Sequence, residues 1–221
     1  MKVVAVIPAF NEEKTIFDVI SDVKKYVDEV IVVDDGSSDD TLACAEKGGA
    51  IVCSHFINRG QGAALETGKQ VALLRNADII IHYDADGQFL PEEIKSMIEP
   101  IVAGRVEVVL GNRFLKSAIP PFKKFLLGGG ILLTRLTSGL KLGDTHNGFR
   151  ALSSSAAQKI IIEHNRMAHA SEILDKIGKF NLRCVEVPVT LKYFPSAVRR
   201  GQRFPDYLKI LFDLFLGRML R

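Results

Sequence analysis

Runs of β-branched and other apolar residues alternate, along the first half of this chain, with stretches in which apolar residues recur at helical spacing. Val3–Ile7, Glu29–Val33, Ala50–Ser54, Ile79–Tyr83 and Val106–Leu110 read as strands. Glu12–Tyr26, Ser38–Lys47, Gly62–Asn76 and Pro91–Ala103 read as amphipathic helices, with Pro91 suited to a first helical turn. Such alternation predicts an α/β fold, a mostly parallel, Rossmann-like sheet with helices on both faces. Ligands of such sheets gather beyond the carboxyl ends of the strands.

The pattern changes after Arg113. Pro120 and Pro121 interrupt the chain, and Phe125–Thr134 follows as an apolar stretch with three glycines, flanked by Lys123, Lys124 and Arg135. It is too short to span a bilayer, which takes roughly 20 apolar residues. It reads either as a buried core helix or as a segment lying in a membrane interface. A polar loop over Gly143–Gly148, helices over Ser153–Glu163 and around Ser171–Gly178, and strands Leu182–Val187 and Val189–Tyr193 separated by Pro188 come next. In Asp206–Arg221 the apolar residues cover a wide helical face, leaving Asp206, Lys209 and Asp213 on a narrow polar stripe. Basic and aromatic residues accompany that face, so a helix on a membrane surface is favoured over one packed on the domain or on a partner.

Composition narrows the class. The 221 residues, 47% hydrophobic and 25% charged, suit one folded domain. Its expected parts are residues 1–112, 113–204 and an amphipathic end, 205–221. A net charge of +3 gives no case for nucleic acid, although Arg199, Arg200, Arg203, Lys209, Arg218 and Arg221 crowd the end of the chain. Cys44, Cys53 and Cys184 are odd in number and widely spaced, which argues against a disulfide framework and a zinc site. A cytoplasmic protein is expected, since Met1 leads straight into a strand with no signal-peptide pattern.

Chemistry concentrates where the strands end. Asp84-Ala85-Asp86-Gly87-Gln88 sets two carboxylates and an amide after a buried strand, a set suited to a hard divalent cation carrying phosphates; the plainer reading is an Asp-Gly turn. The first strand runs into Pro8-Ala9-Phe10-Asn11-Glu12, a turn into a helix whose free N–H groups favour an anion. The second ends in Asp34-Asp35-Gly36-Ser37, where a carboxylate can accept from a base or a ribose hydroxyl, or where the turn simply caps a helix. Asn58-Arg59-Gly60-Gln61-Gly62 lies between.

In this order, and continued by Gly111-Asn112-Arg113, Asp144 through Asn147-Gly148-Phe149-Arg150 and Glu186-Val187-Pro188-Val189, the motifs resemble those of the family 2 glycosyltransferases, in particular the dolichol-phosphate (polyprenyl-phosphate) mannose and glucose synthases. The resemblance implies the glycosyltransferase A fold and a UDP- or GDP-hexose donor. Pro8, Ala9, Phe10, Asn11, Glu12, Asp34, Asp35, Gly62 and Ala85 would belong to the nucleotide-sugar site, and Asp84, Asp86 and Gln88 would hold Mg²⁺ or Mn²⁺ on the donor diphosphate. Arg113 and Arg150 would face the phosphate of a polyprenyl phosphate acceptor. Arg199, Arg200 and Gln202 occupy the place of a basic loop that closes over the donor, although the family's loop is longer. Many relatives carry membrane helices after this domain, so a separate integral membrane partner is implied as possible, with this chain peripheral at the cytoplasmic membrane face.

Glu172 divides two readings. A hydroxyl acceptor needs a base there, whereas a lipid phosphate arrives ionised and leaves Glu172 a supporting role, which is the favoured reading. A nucleotide-sugar-binding subunit without turnover is opposed by the intact Asp84, Asp86, Gln88, Arg113 and Arg150. A sugar nucleotidyltransferase would need a Gly-rich basic loop where Pro8–Glu12 stands.

Overall fold

A computed structural model describes residues 1–116, 142–145, 147–165 and 168–192. The elements run β1 (Val3–Ala9), α1 (Ile16–Val23), β2 (Glu29–Asp34), α2 (Thr41–Lys47), β3 (Ile51–Ser54), α3 (Gln61–Leu74), β4 (Ile79–His82), α4 (Ile94–Val102), β5 (Val108–Asn112), β6 (Arg150–Ser153), α5 (Ser154–Lys159), α6 (Ala168–Lys179) and β7 (Cys184–Pro188). Single 3₁₀ turns at Pro91–Glu93 and Arg113–Leu115 lead into α4 and out of β5.

The strands form one seven-stranded sheet in the order β3-β2-β1-β4-β6-β5-β7. Every neighbouring pair is parallel except the two made by β6, which is antiparallel to β4 and to β5. The chain winds outward from β1 through β2 to β3, then returns to lay β4 on the other side of β1. That reversal opens a crevice at the carboxyl ends of β1 and β4, the usual ligand position in such sheets.

Burial follows the strand period of two. Val3, Ala5, Ile7 and Ala9 of β1 enter the layer under α1 and α4, while Val4 and Val6 enter the layer under α3, α5 and α6. Strands buried on both faces are therefore almost continuously apolar, as in Val-Val-Ala-Val-Ile. In α1 the buried residues Ile16, Val19, Ile20 and Val23 stand at the helical interval and form one stripe. Truncating the fully buried Ile20 to Ala would cost about 2–5 kcal/mol.

Three sequence expectations change. Arg150–Ser153 is a strand where the sequence assigned no element before Ser153, and the helix expected over Ser153–Glu163 runs from Ser154 only to Lys159. Pro188 does not separate two strands: it ends β7, which lies at the sheet edge where the missing N–H is tolerated, and Leu191 makes only an isolated bridge to Phe89. The strand expected from Val106 begins at Val108 and runs on to Asn112. Phe125–Thr134 and Asp206–Arg221 lie outside the described residues. Among the described residues no helix is long and apolar enough to cross a membrane.

Candidate active site

The turns after β1 and β2 are stitched together, so that neither moves alone. Asn11 takes a left-handed backbone, φ 56°, which an asparagine tolerates better than most side chains. Its N–H donates to Ser37 Oγ at 2.9 Å, and its Oδ1 accepts from Ser38 N at 2.9 Å. Glu12 N donates to Thr41 Oγ1 at 2.7 Å. Pro8 and Ala9 pair with Val33 and Asp34 in the sheet, and the Phe10 side chain stands 46% exposed at the mouth of the crevice. The Glu12 carboxylate accepts from Thr15 Oγ1 at 3.0 Å.

Asp34 and Asp35 are both buried, each 3% exposed. Asp34 accepts from Ser37 N and from Ser54 Oγ, each at 3.2 Å. Asp35 accepts from His55 Nδ1 at 2.7 Å, Arg59 N at 2.9 Å and Gly60 N at 2.7 Å. Three strong donors on one carboxylate fix the loop that leads into α3. Gly62 lies on the first turn of that helix against the 160s loop: a Cβ there would stand 3.1 Å from His169 Cβ and closer still to the His164 carbonyl.

Across the crevice, the loop after β4 carries the acidic pair. Tyr83 anchors it from below, donating its hydroxyl to Phe89 O at 2.8 Å and packing edge-on against Phe89 and Phe149. Asp84 accepts from Gln61 Nε2 at 3.1 Å. Burial, then repulsion from Asp86, pushes its carboxyl up to about 6, against the attraction of Arg150 and Arg113. Ala85 is buried, so Asp84 and Asp86 flank an apolar anchor. Asp86 Oδ1 accepts from Gln88 N at 3.0 Å, and Gln88 O accepts from Lys192 N at 2.8 Å.

A cation fits this pair. Among the described residues no three His, Cys, Asp or Glu side chains converge into a closed cage. Mg²⁺ and Mn²⁺ sites of the phosphate-handling kind need only one or two carboxylates, because water and phosphate oxygens complete the shell. A carboxylate whose charge is disfavoured by burial and by its neighbour is one that a divalent ion stabilises.

Arg113 and Arg150, which the resemblance assigns to the acceptor phosphate, sit beyond Asp84. Arg113, at the end of β5, binds Asp144 through two parallel bonds, Nε to Oδ2 at 2.8 Å and Nη2 to Oδ1 at 3.1 Å. Glu186 of β7 fixes that partner by accepting from Gly143 N at 2.8 Å and Asp144 N at 2.9 Å, and takes Asn112 Nδ2 at 3.0 Å. Arg150 stands on β6 directly opposite His82 and is 2% exposed. Burial lowers its guanidinium to about 10 against the attraction of Asp84 and Asp144, so it remains cationic at neutral pH. Among the described residues its Nη1 has no hydrogen-bond partner, nor does either ring nitrogen of His82, which burial and then Arg150 keep neutral.

Glu172, on α6, is 8% exposed and already occupied. It accepts from Glu163 N at 3.0 Å, His164 N at 2.8 Å and Lys176 Nζ at 2.8 Å. Burial raises its carboxyl, but the bonds from Lys176 and the two amides outweigh that and hold it below the ordinary range. Arg199, Arg200 and Gln202 lie outside the described residues. Reading the sequence missed His55, Gln61 and Glu186 as supports, and only Gln61 and Glu186 fell inside quoted motifs.

The family model described as Glycosyl transferase family 2 matches residues 4–161. An uncharacterized protein of Methanocaldococcus jannaschii is 36% identical over 99% of this chain and 93% of its own. The UDP-N-acetylglucosamine–dolichyl-phosphate N-acetylglucosaminyltransferase of Methanococcus voltae is 32% identical over 97% of this chain and 95% of its own. Among solved structures, Mycobacterium tuberculosis glucosyl-3-phosphoglycerate synthase in complex with Mn²⁺, UDP-glucose and phosphoglyceric acid shares the fold, with TM-score 0.67 and 24% identity over 88% of this chain and 73% of that one.

Proposed function

This chain belongs to glycosyl transferase family 2, and from that premise we propose that it transfers a hexose from a nucleoside diphosphate sugar, with inversion, to a polyprenyl phosphate at the cytoplasmic membrane face. The observation that carries the choice of acceptor is the state of Glu172. Two backbone amides and the Lys176 ammonium already point at its carboxylate, and its proton affinity is lowered, so it is a poor base for a hydroxyl. A phosphate monoester needs none, because its second pKa is about 6. Relatives named for dolichyl-phosphate and polyprenol substrates support the same reading.

Asp84 and Asp86 would hold Mg²⁺ or Mn²⁺, with Gln88 beside them. Bound there, the cation neutralises charge that develops on the departing diphosphate. The joined turns at Asn11 and Ser37 wall the nucleotide side of the crevice. Arg150 offers the acceptor phosphate its Nη1, which has no partner among the described residues, and Arg113, oriented by Asp144, adds positive charge there. A phosphate oxygen then bonds to the anomeric carbon as the bond from that carbon to the nucleoside diphosphate breaks. Residues 205–221 and Phe125–Thr134, by their sequence, would hold the enzyme at the lipid surface.

A donor panel tests the proposal: UDP-GlcNAc, UDP-glucose and GDP-mannose with Mn²⁺ and undecaprenyl or dolichyl phosphate, scored as label extracted into organic solvent. Lipid-linked sugar that disappears with EDTA is expected. Transfer only to sugar or glycerate hydroxyls would overturn the acceptor, and transfer undiminished by EDTA would overturn the cation. Removing 205–221 is expected to reduce co-sedimentation with anionic vesicles; equal binding would assign membrane contact elsewhere.

A further inference from the structure

The acidic turn after β2 and the acidic loop after β4 are mechanically joined through α3. Asp35 accepts only, so the hydrogen in its 2.7 Å contact with His55 sits on Nδ1. Nε2 of the same ring stands 2.9 Å from Thr67 Oγ1, on α3. The same carboxylate takes the Arg59 and Gly60 amides. Gln61 is the next residue and the first of α3, and its Nε2 reaches across to Asp84 Oδ1 at 3.1 Å. His55 and Asp35 are 9% and 3% exposed, so the pair is shielded from water that would loosen it.

We propose that Gln61 is a positioning residue that sets the orientation of the Asp84 carboxylate for the cation, and that the buried His55–Asp35 pair acts through it by holding the Arg59–Gly60 backbone. This rests on the reading of Asp84 as a cation ligand. An amide suits the task because it donates without cancelling charge.

Mn²⁺ titrations of the full chain in the presence of UDP, read by electron paramagnetic resonance, test the inference without any turnover. Gln61→Ala is expected to weaken Mn²⁺ affinity about tenfold, as loss of a ligand's hydrogen-bonded support commonly does, with the melting temperature unchanged. His55→Ala is expected to weaken it too, and the double variant to bind no more weakly than the weaker single one, since the two act in series. Asp84→Asn is expected to remove the bound-Mn²⁺ signal. Unaltered affinity in Gln61→Ala beside a lost signal in Asp84→Asn overturns the positioning role alone. Additive losses in the double variant overturn the series connection. An intact signal in Asp84→Asn overturns the cation reading itself.

Discussion

Asp84 packs its carboxylate on the bare α-carbon of Gly148: a methyl group at Gly148 would stand 2.8 Å from Asp84 Oδ1, 2.9 Å from Cγ and nearer still to Oδ2. The loop before β6 thus touches the acidic loop after β4, and the missing side chain is what permits the contact. Gly148→Ala is expected to displace Asp84 at a cost of about 1–3 kcal/mol in stability. It should weaken Mn²⁺ binding about tenfold or more. Calorimetric titration with Mn²⁺ and UDP checks it, and wild-type affinity would mean that Asp84 is not a ligand in this orientation.

If Asp84 holds the cation as proposed, proton and cation compete for it. Its folded carboxyl titrates at about 6, above the ordinary 3.8, because burial and then Asp86 disfavour the charge. Mn²⁺ affinity is therefore expected to be level above neutral pH and to fall as pH drops through 6. The sign for stability is the reverse: the folded state binds this proton more tightly than the unfolded one, so the metal-free protein is penalised above pH 6 and relieved as pH falls toward 4. Asp84→Asn should raise the melting temperature of the metal-free protein at pH 7 while removing cation binding. A lower melting temperature would show that the charged form is stabilised by its arginine neighbours more than burial disfavours it.

Glu172→Gln separates support from catalysis. The carboxylate faces donors only, so an amide there turns one N–H toward the Glu163 or His164 amide or toward Lys176, an expected loss of about 1–3 kcal/mol. Thermal melting should register that loss while turnover with polyprenyl phosphate stays within a few-fold. A turnover loss of roughly 100-fold with unchanged melting would make Glu172 a general base.

These expectations draw on features that differ in how far the sequence displays them. The strands β1, β2 and β4 were legible because burial on both faces makes them continuously apolar, and Asp84 and Asp86 because they interrupt that pattern at a strand end. The strand β6 was not: Arg150-Ala-Leu-Ser carries a charge where a strand core is expected, and that charge is accepted only because Asp84 and Asp144 lie near it in space. His55 follows β3 with no local pattern, and its meaning comes entirely from Asp35 and Thr67, which lie 20 and 12 residues away. Motif order indicated which family to expect, whereas the supports that orient its carboxylates are tertiary contacts.

Arg113 shows how such a support should be felt at a distance. Its guanidinium lies on Asp144 in a two-bond fork, and Asp144 is in turn set by Glu186 through the Gly143 and Asp144 amides. Lysine keeps the charge but has one compact ammonium, which cannot meet both carboxylate oxygens at once. Arg113→Lys is therefore expected to lower kcat/KM for polyprenyl phosphate about tenfold or more while leaving the donor KM nearly unchanged, because Asp144 loses half its pairing on the acceptor side alone. Glu186→Gln should produce a milder version of the same bias, since Gln keeps one acceptor for the two amides. Steady-state kinetics with each substrate varied in turn decide the matter. Equal losses for donor and acceptor would place Arg113 on the leaving diphosphate and move the acceptor phosphate to Arg150 alone.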